Sequence, residues 1–432
     1  MSRWKKRTLS LGLLALAIVA VLLVFSLEPE IMPIKKPEAS EFNAGQIARG
    51  KNLAALGDCS VCHTRKGGQR DTGGLAFETQ FGTIYSSNIT PDEATGIGSW
   101  SYPAFKRAMR YGVNREGHYL YPAFPYTAFT ISRDEDLQDL YAWLMSQPAV
   151  NYRPPPTELH FPFNLRQGMF AWNWLFLTPG PQQPDPDQSA EWNRGAYLGE
   201  GLGHCSACHS PRNIAGAEKG GPDHLSGGSA EGWHAPALNA HATAPLAWSH
   251  DALMQYMRSG YSADHGVAAG PMGPVIAEGL SQLPEEDRHA IATWLSSLQA
   301  EKPNVSREGR VNRAEQKVML ENTSGARQFM GSCMSCHAQN TGPKLYGVRP
   351  ALVLNSNLYS ETPDNLIRVV LDGIPTPATP ELGTMPGFRY QLDNQQIASL
   401  LNYMRGDLAQ QAPWPDLINR VEAIRQETEA KQ

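Results

Sequence analysis

Apolar and polar positions follow helical spacing in six segments of this chain, and the segments form two sets of three. The first set reads SYPAFKRAMRYG, SHDALMQYMRSG and TPDNLIRVVLDG, closed by Gly112, Gly260 and Gly373. Each predicts an amphipathic helix ending in a glycine cap. The second set reads DEDLQDLYAWLM, EEDRHAIATWLSSL and DNQQIASLLNYM, and each carries one large aromatic: Trp143, Trp294 or Tyr403. Upstream of each pair a shorter helical stretch contains Gly50, Gly195 or Gly325. A glycine facing an aromatic lets two helices cross closely, because the missing side chain admits the ring. The pattern is a threefold internal repeat.

The N-terminus differs in kind. Arg3, Lys5, Lys6 and Arg7 precede the 19 uncharged residues from Leu9 to Leu27. That run is just long enough to span a bilayer core as a helix, and its basic flank predicts export of everything after Glu28. An uncleaved anchor is expected over 1–27; a cleaved signal peptide is the rival, with its only A-x-A, Ala15 to Ala17, lying inside the apolar run. Charge adds little to this picture. A net charge of −5 offers no electrostatic reason to bind nucleic acid.

The chemistry lies in six cysteines, all spent in three motifs: CSVCH (Cys59, Cys62, His63), CSACH (Cys205, Cys208, His209) and CMSCH (Cys333, Cys336, His337). Two thiols three residues apart can each add to one vinyl group of a porphyrin, and the adjacent histidine then reaches the iron. Structural zinc would need four ligands close together, and these pairs begin 146 and 128 residues apart. A thioredoxin-type pair needs no histidine, and a disulfide across so short a loop is strained. Three covalent c-type haems are therefore expected, with His63, His209 and His337 as proximal ligands.

One motif per repeat predicts an all-α chain of three tandem class I cytochrome c domains behind the anchor. Their expected limits are 42–150, 189–300 and 317–408. Between them lie a Pro-rich and aromatic linker, 151–188, and a polar linker, 301–316; a tail follows at 409–432. Twelve residues past the capping glycines stand Phe124, Met272 and Met385. Equal spacing from a repeated glycine marks Met272 and Met385 as the distal thioether ligands. Met109 and Met257, three residues before their glycines, are core positions, as Val370 is in the third repeat. Phe124 cannot bind iron. Haem 1 is then five-coordinate, or ligated by another donor such as His118, or served by a rearranged loop. The linker segment FPFNLRQGMFAWNWLFL (161–177) is too short to be expected to span a membrane; it could dock on a membrane surface, a partner subunit or a neighbouring domain.

With these residues in place, the chain resembles the three-haem cytochrome c subunits of bacterial membrane-associated dehydrogenases. The resemblance rests on SSNITPDEATGIGSW, LYPAFPY, AAGPMGPV and TMPGF. It implies a catalytic dehydrogenase partner, with quinone or a terminal oxidase as acceptor, and haem domains on the periplasmic side of the inner membrane. PAFPY in place of the family's usual PAMPY, together with the aromatic linker, looks more like the subunits that serve molybdenum hydroxylases acting on aldehydes or N-heterocycles. No catalytic motif such as G-x-S-x-G, H-E-x-x-H or a Walker loop is present. An electron carrier is expected; the alternative is a haem enzyme of peroxidase or reductase type, with haem 1 as its open site.

Overall fold

The computed structural model describes residues 27–302, 306–339 and 347–429. The expected anchor falls outside them except for Leu27. Among the described residues no helix is long and apolar enough to cross a membrane. The chain divides into two compact units, Met1–Ala54 with Cys62–Gln183 and Ala55–Val61 with Pro184–Gln432.

The first unit is built on α1 (Ala44–Leu56), a short antiparallel hairpin of β1 (Ala76–Thr79) and β2 (Gly82–Tyr85), α2 (Tyr102–Tyr111) and α3 (Asp134–Ser146). A two-residue strand, β3 (Glu158–Leu159), adds to β2, and α4 (Gly168–Phe176) closes the unit. Helix α2 buries Ala104, Phe105, Ala108 and Met109, a stripe set by its 3.6-residue period. It stops at Gly112, whose φ of 63° and ψ of 37° place it in the left-handed region that favours glycine.

The second unit holds two repeats. One comprises α5 (Ala190–Glu200), the hairpin β4 (Gly228–Ala230) and β5 (Trp233–Ala235), α6 (His250–Ser259), the two-residue strands β6 (Tyr261–Ser262) and β7 (Gly266–Val267), and α7 (Glu285–Ser297). Ser249 caps α6 by accepting from the Ala252 N–H, and Gly260 ends it with φ 78°. The other repeat comprises α8 (Arg307–Leu320), α9 (Ser324–Ser332), α10 (Asp364–Asp372), α11 (Asn394–Tyr403) and α12 (Leu417–Glu429). The two repeats are joined by a reciprocal pair of bonds: the His234 N–H donates to Asn365 Oδ1 at 2.9 Å, and Asn365 Nδ2 donates to the His234 carbonyl at 2.8 Å.

The same helix crossing occurs three times. A Cβ on Gly50 would lie 1.9 Å from the Asp139 carbonyl oxygen and 2.8 Å from Trp143 Cβ. On Gly195 it would lie 1.9 Å from the Ala290 oxygen and 2.8 Å from Trp294 Cβ. On Gly325 it would lie 2.5 Å from both the Ser399 oxygen and Tyr403 Cβ. The backbones touch because the side chain is missing, as the glycine and aromatic pattern predicts. In the first two crossings an arginine just before the glycine reaches across. Arg49 Nη2 donates to Asp139 at 3.0 Å and Arg194 Nε to Asp287 at 2.8 Å.

Two stretches expected as connections are structural. Most of 301–316 is not a polar linker but the body of α8, whose Val311, Ala314 and Val318 enter the core of the third repeat. The tail from 409 contains α12, which buries Leu417, Val421 and Ile424, with Trp414 buried beside it. In both helices the apolar residues are few and three or four apart among many charges, so composition hides a narrow buried stripe. The short hairpins likewise add strand to an otherwise helical chain.

Candidate functional site

Each cysteine pair sits on a single helical turn with its histidine: Cys59–His63, Cys205 leading into Ser206–His209, and Cys333 leading into Met334–His337. No disulfide joins any of the six cysteines. Burial pushes the Cys205 and Cys333 thiols up to about 12 and the Cys208 thiol up to about 11. These three are held as neutral thiols, without the lowered pKa of a redox-active cysteine.

The three histidines share one arrangement. Nδ1 of His63 lies 2.6 Å from the Ser87 carbonyl, Nδ1 of His209 lies 2.6 Å from the Pro236 carbonyl, and Nδ1 of His337 lies 3.2 Å from the Pro350 carbonyl. A carbonyl only accepts, so each Nδ1 must carry the proton. Burial also holds all three imidazoles below their ordinary pKa, keeping the rings neutral. The outcome is an unprotonated Nε2 with a lone pair, on a ring whose orientation is fixed from behind. This is the state in which imidazole binds a metal. The accepting carbonyls lie 24, 27 and 13 residues from their histidines. Nothing in the sequence signals them, since every residue owns a carbonyl.

These residues fit haem c. Two thiols and a neutral imidazole on one turn are the donor set it requires. At the third motif an apolar cleft lined by Val311, Val318, Phe329, Met334 and Val353 adjoins His337.

The methionine positions fall on loops of two kinds. In the first two repeats the chain leaves the capping glycine in a short hairpin, and the N–H eight residues on returns to the glycine carbonyl. Leu120 donates to Gly112 at 2.7 Å and Ala268 to Gly260 at 2.7 Å. Phe124 then ends a turn closed by its N–H to the Tyr121 carbonyl, whereas Met272 opens the short helical turn Met272–Pro274. In the third repeat Met385 itself pairs with Ile374, by bonds of 2.9 and 3.2 Å in opposite directions. Gly373 accordingly takes φ 71° and ψ −162° rather than the left-handed helical cap of its counterparts. The equal twelve-residue spacing therefore spans unequal paths. Met109, Met257 and Val370 are buried, as core positions should be.

His118 is exposed, at the tip of the hairpin, where its N–H donates to Asn114 Oδ1 at 2.7 Å. Phe124 belongs to an aromatic group that reaches the aromatic segment through Tyr126. The Phe124 ring packs edge-on against Phe129 at 5.3 Å and beside Tyr126 at 6.3 Å, and Tyr126 meets Trp172 of α4 at 6.1 Å. Tyr126 Oη donates to Asn173 Oδ1 at 2.6 Å, and Asn173 Nδ2 donates to the Tyr111 carbonyl at 3.0 Å. One face of α4 thus packs on its own unit, while Trp174 and Leu175 stay exposed.

Known proteins carry the same pattern. The family model for cytochrome c matches residues 193–299, and that for cytochrome c oxidase, cbb3-type, subunit III matches 321–404. The gluconate 2-dehydrogenase cytochrome c subunit of Pantoea cypripedii is 38% identical, covering 84% of this chain and 86% of that protein. The fructose dehydrogenase cytochrome subunit of Gluconobacter japonicus is 34% identical, covering 90% and 85%. The chain belongs to the cytochrome c subunits of membrane dehydrogenase complexes. It is also 52% identical to a nicotinate dehydrogenase subunit of Pseudomonas putida over 92% of its own length, and spans about a third (33%) of that longer protein. As a cytochrome subunit it carries covalently bound haem c and transfers electrons from a dehydrogenase.

Proposed function

We propose that this cytochrome subunit holds three haem c groups in three tandem domains and passes electrons from a catalytic dehydrogenase to quinone or a terminal oxidase. The observation that carries the count is the proximal histidine, which repeats with the same Nδ1-to-carbonyl restraint at His63, His209 and His337. When bound, haem c supplies a one-electron couple at its iron.

The chain does the rest. Cys59 and Cys62, Cys205 and Cys208, and Cys333 and Cys336 hold the group through thioethers. The hydrogen bond behind each proximal ring fixes its tautomer and raises its basicity toward iron. Met272 and Met385 supply thioether sulfur, a soft donor that favours the reduced iron and so a higher potential. At the first repeat Phe124 and its aromatic neighbours exclude water where sulfur would stand. Haem 1 is then the lowest in potential and the early member of the path, other factors being equal.

The partner fits best as a molybdenum hydroxylase that oxidises an N-heterocycle or aldehyde; the 52% identity to a nicotinate dehydrogenase subunit supports the N-heterocycle. The basic-flanked apolar run Leu9–Leu27 supports a membrane anchor with the haem domains on the periplasmic side of the inner membrane. Intact-mass measurement of the protein matured in a haem-attaching host tests the central reading. Three covalent haems are expected, and two or fewer in a fully matured preparation overturns it.

A further inference from the structure

Away from the haem motifs, three ligating side chains meet where three helices of the second repeat come together. Glu191 lies in the first turn of α5, His250 begins α6 and His289 lies in α7; their ligand atoms all fall within 4.8 Å of one another. The imidazoles face each other, with Nδ1 of His289 3.2 Å from Nε2 of His250. Each ring turns its other nitrogen toward a carboxylate. Nδ1 of His250 is 3.4 Å from Asp251 Oδ1, and Nε2 of His289 is 3.9 Å from Glu285 Oε1. Thr293, one turn beyond His289, donates through Oγ1 to Glu191 Oε1 at 2.9 Å and so positions that carboxylate.

The two facing ring nitrogens and the Glu191 carboxylate bring three lone-pair donors to one place, where a single cation can be shared. Two imidazole nitrogens bound tetrahedrally at about 2.0–2.1 Å lie about 3.3 Å apart, close to the spacing present. Carboxylates behind the rings are the usual outer support of such ligands.

We propose that Glu191, His250 and His289 form a divalent transition-metal site, of the zinc class, with an open position to solvent. An ion there ties the starts of α5 and α6 to the middle of α7, clamping the pair of helices that cross at Gly195. The first repeat makes an internal control. Counted from its own crossing glycine, capping glycine and aromatic, the matching positions are Gln46, Tyr102 and Gln138. Tyr102 and Gln138 are hydrogen-bonded to each other, and the three offer no such ligand set.

The test uses the untagged, haem-loaded full chain, stripped with chelator and titrated with Zn2+ alone in a calorimeter. One ion should bind at micromolar affinity or tighter. His250→Gln and His289→Gln should each weaken binding at least about tenfold while the haem spectra stay unchanged; Asp251→Asn should weaken it less. Absence of a stoichiometric site, or affinity unchanged in both histidine variants, overturns the proposal.

Discussion

The loops that follow Gly112 and Gly260 begin alike and end differently. Both leave a left-handed cap, both fold back through a short hairpin, and both return a hydrogen bond of 2.7 Å to the glycine carbonyl. Four residues later one presents a phenyl ring and the other a thioether. The ring is not an isolated exchange. Phe124 belongs to an aromatic group with Phe129 and Tyr126, and α4 is bonded over that group through Asn173. Met272 sits between Pro271 and Gly273, with Trp233 pressed against Gly270 so closely that a Cβ there would lie 2.4 Å from the indole. One scaffold has thus been finished in two ways, one loop with a thioether and the other with a phenyl ring.

The largest effect should leave this contrast intact and show that the scaffold beneath it is shared. Gly50→Ala and Gly195→Ala each force a Cβ to within 1.9 Å of a carbonyl oxygen on the facing helix. Overpacking of backbone on backbone should cost about 3 kcal/mol or more in each case. Chemical denaturation should show similar losses at both crossings. A large loss at one and none at the other would mean that the two frames are not equivalent.

The contrast itself is tested by exchanging its terms. Met272→Leu should remove one His/Met haem signal and lower that midpoint by on the order of 100 mV, a fraction of the ~0.8 V that axial ligands command. Met257→Leu should leave ligation untouched, since Met257 is buried core. Phe124→Met should add a His/Met haem and raise the lowest midpoint in a redox titration. Three His/Met haems in the unaltered protein would refute the contrast.

The smallest difference is electrostatic. Just before the second motif, Glu200 Oε1 lies 2.8 Å from His224 Nε2, where the first repeat has Ala54 in place of the acid. The hydrogen bond to Glu200 raises the His224 pKa above its ordinary value of 6.5, outweighing burial. A raised folded pKa means that the contribution is fully present below about pH 6.5 and fades as the pH rises through the folded value. Because the pair is part-exposed, His224→Gln should cost only about 0.5 kcal/mol near pH 5.5 and nothing measurable near pH 8.5. Denaturation at the two pH values checks the sign.

What is local or periodic in this protein can be read directly from its residues. Haem attachment is legible because its chemistry needs two thiols and a histidine within five residues, and the helices are legible because each repeats its apolar face every turn. The glycine and aromatic pairs announced the crossings for the same reason, having recurred three times. Folding supplied the partners that any residue could have provided. Carbonyls of Ser87, Pro236 and Pro350 hold the histidine rings of the three motifs, and no side-chain pattern distinguishes one carbonyl from another. Folding also drew α8 and α12 into the core, which composition hid because their buried stripes are narrow and surrounded by charge. And it sent twelve residues by one path to Met272 and by another to Met385. Residue count limits how far a loop can reach, while hydrogen bonding sets the route it takes.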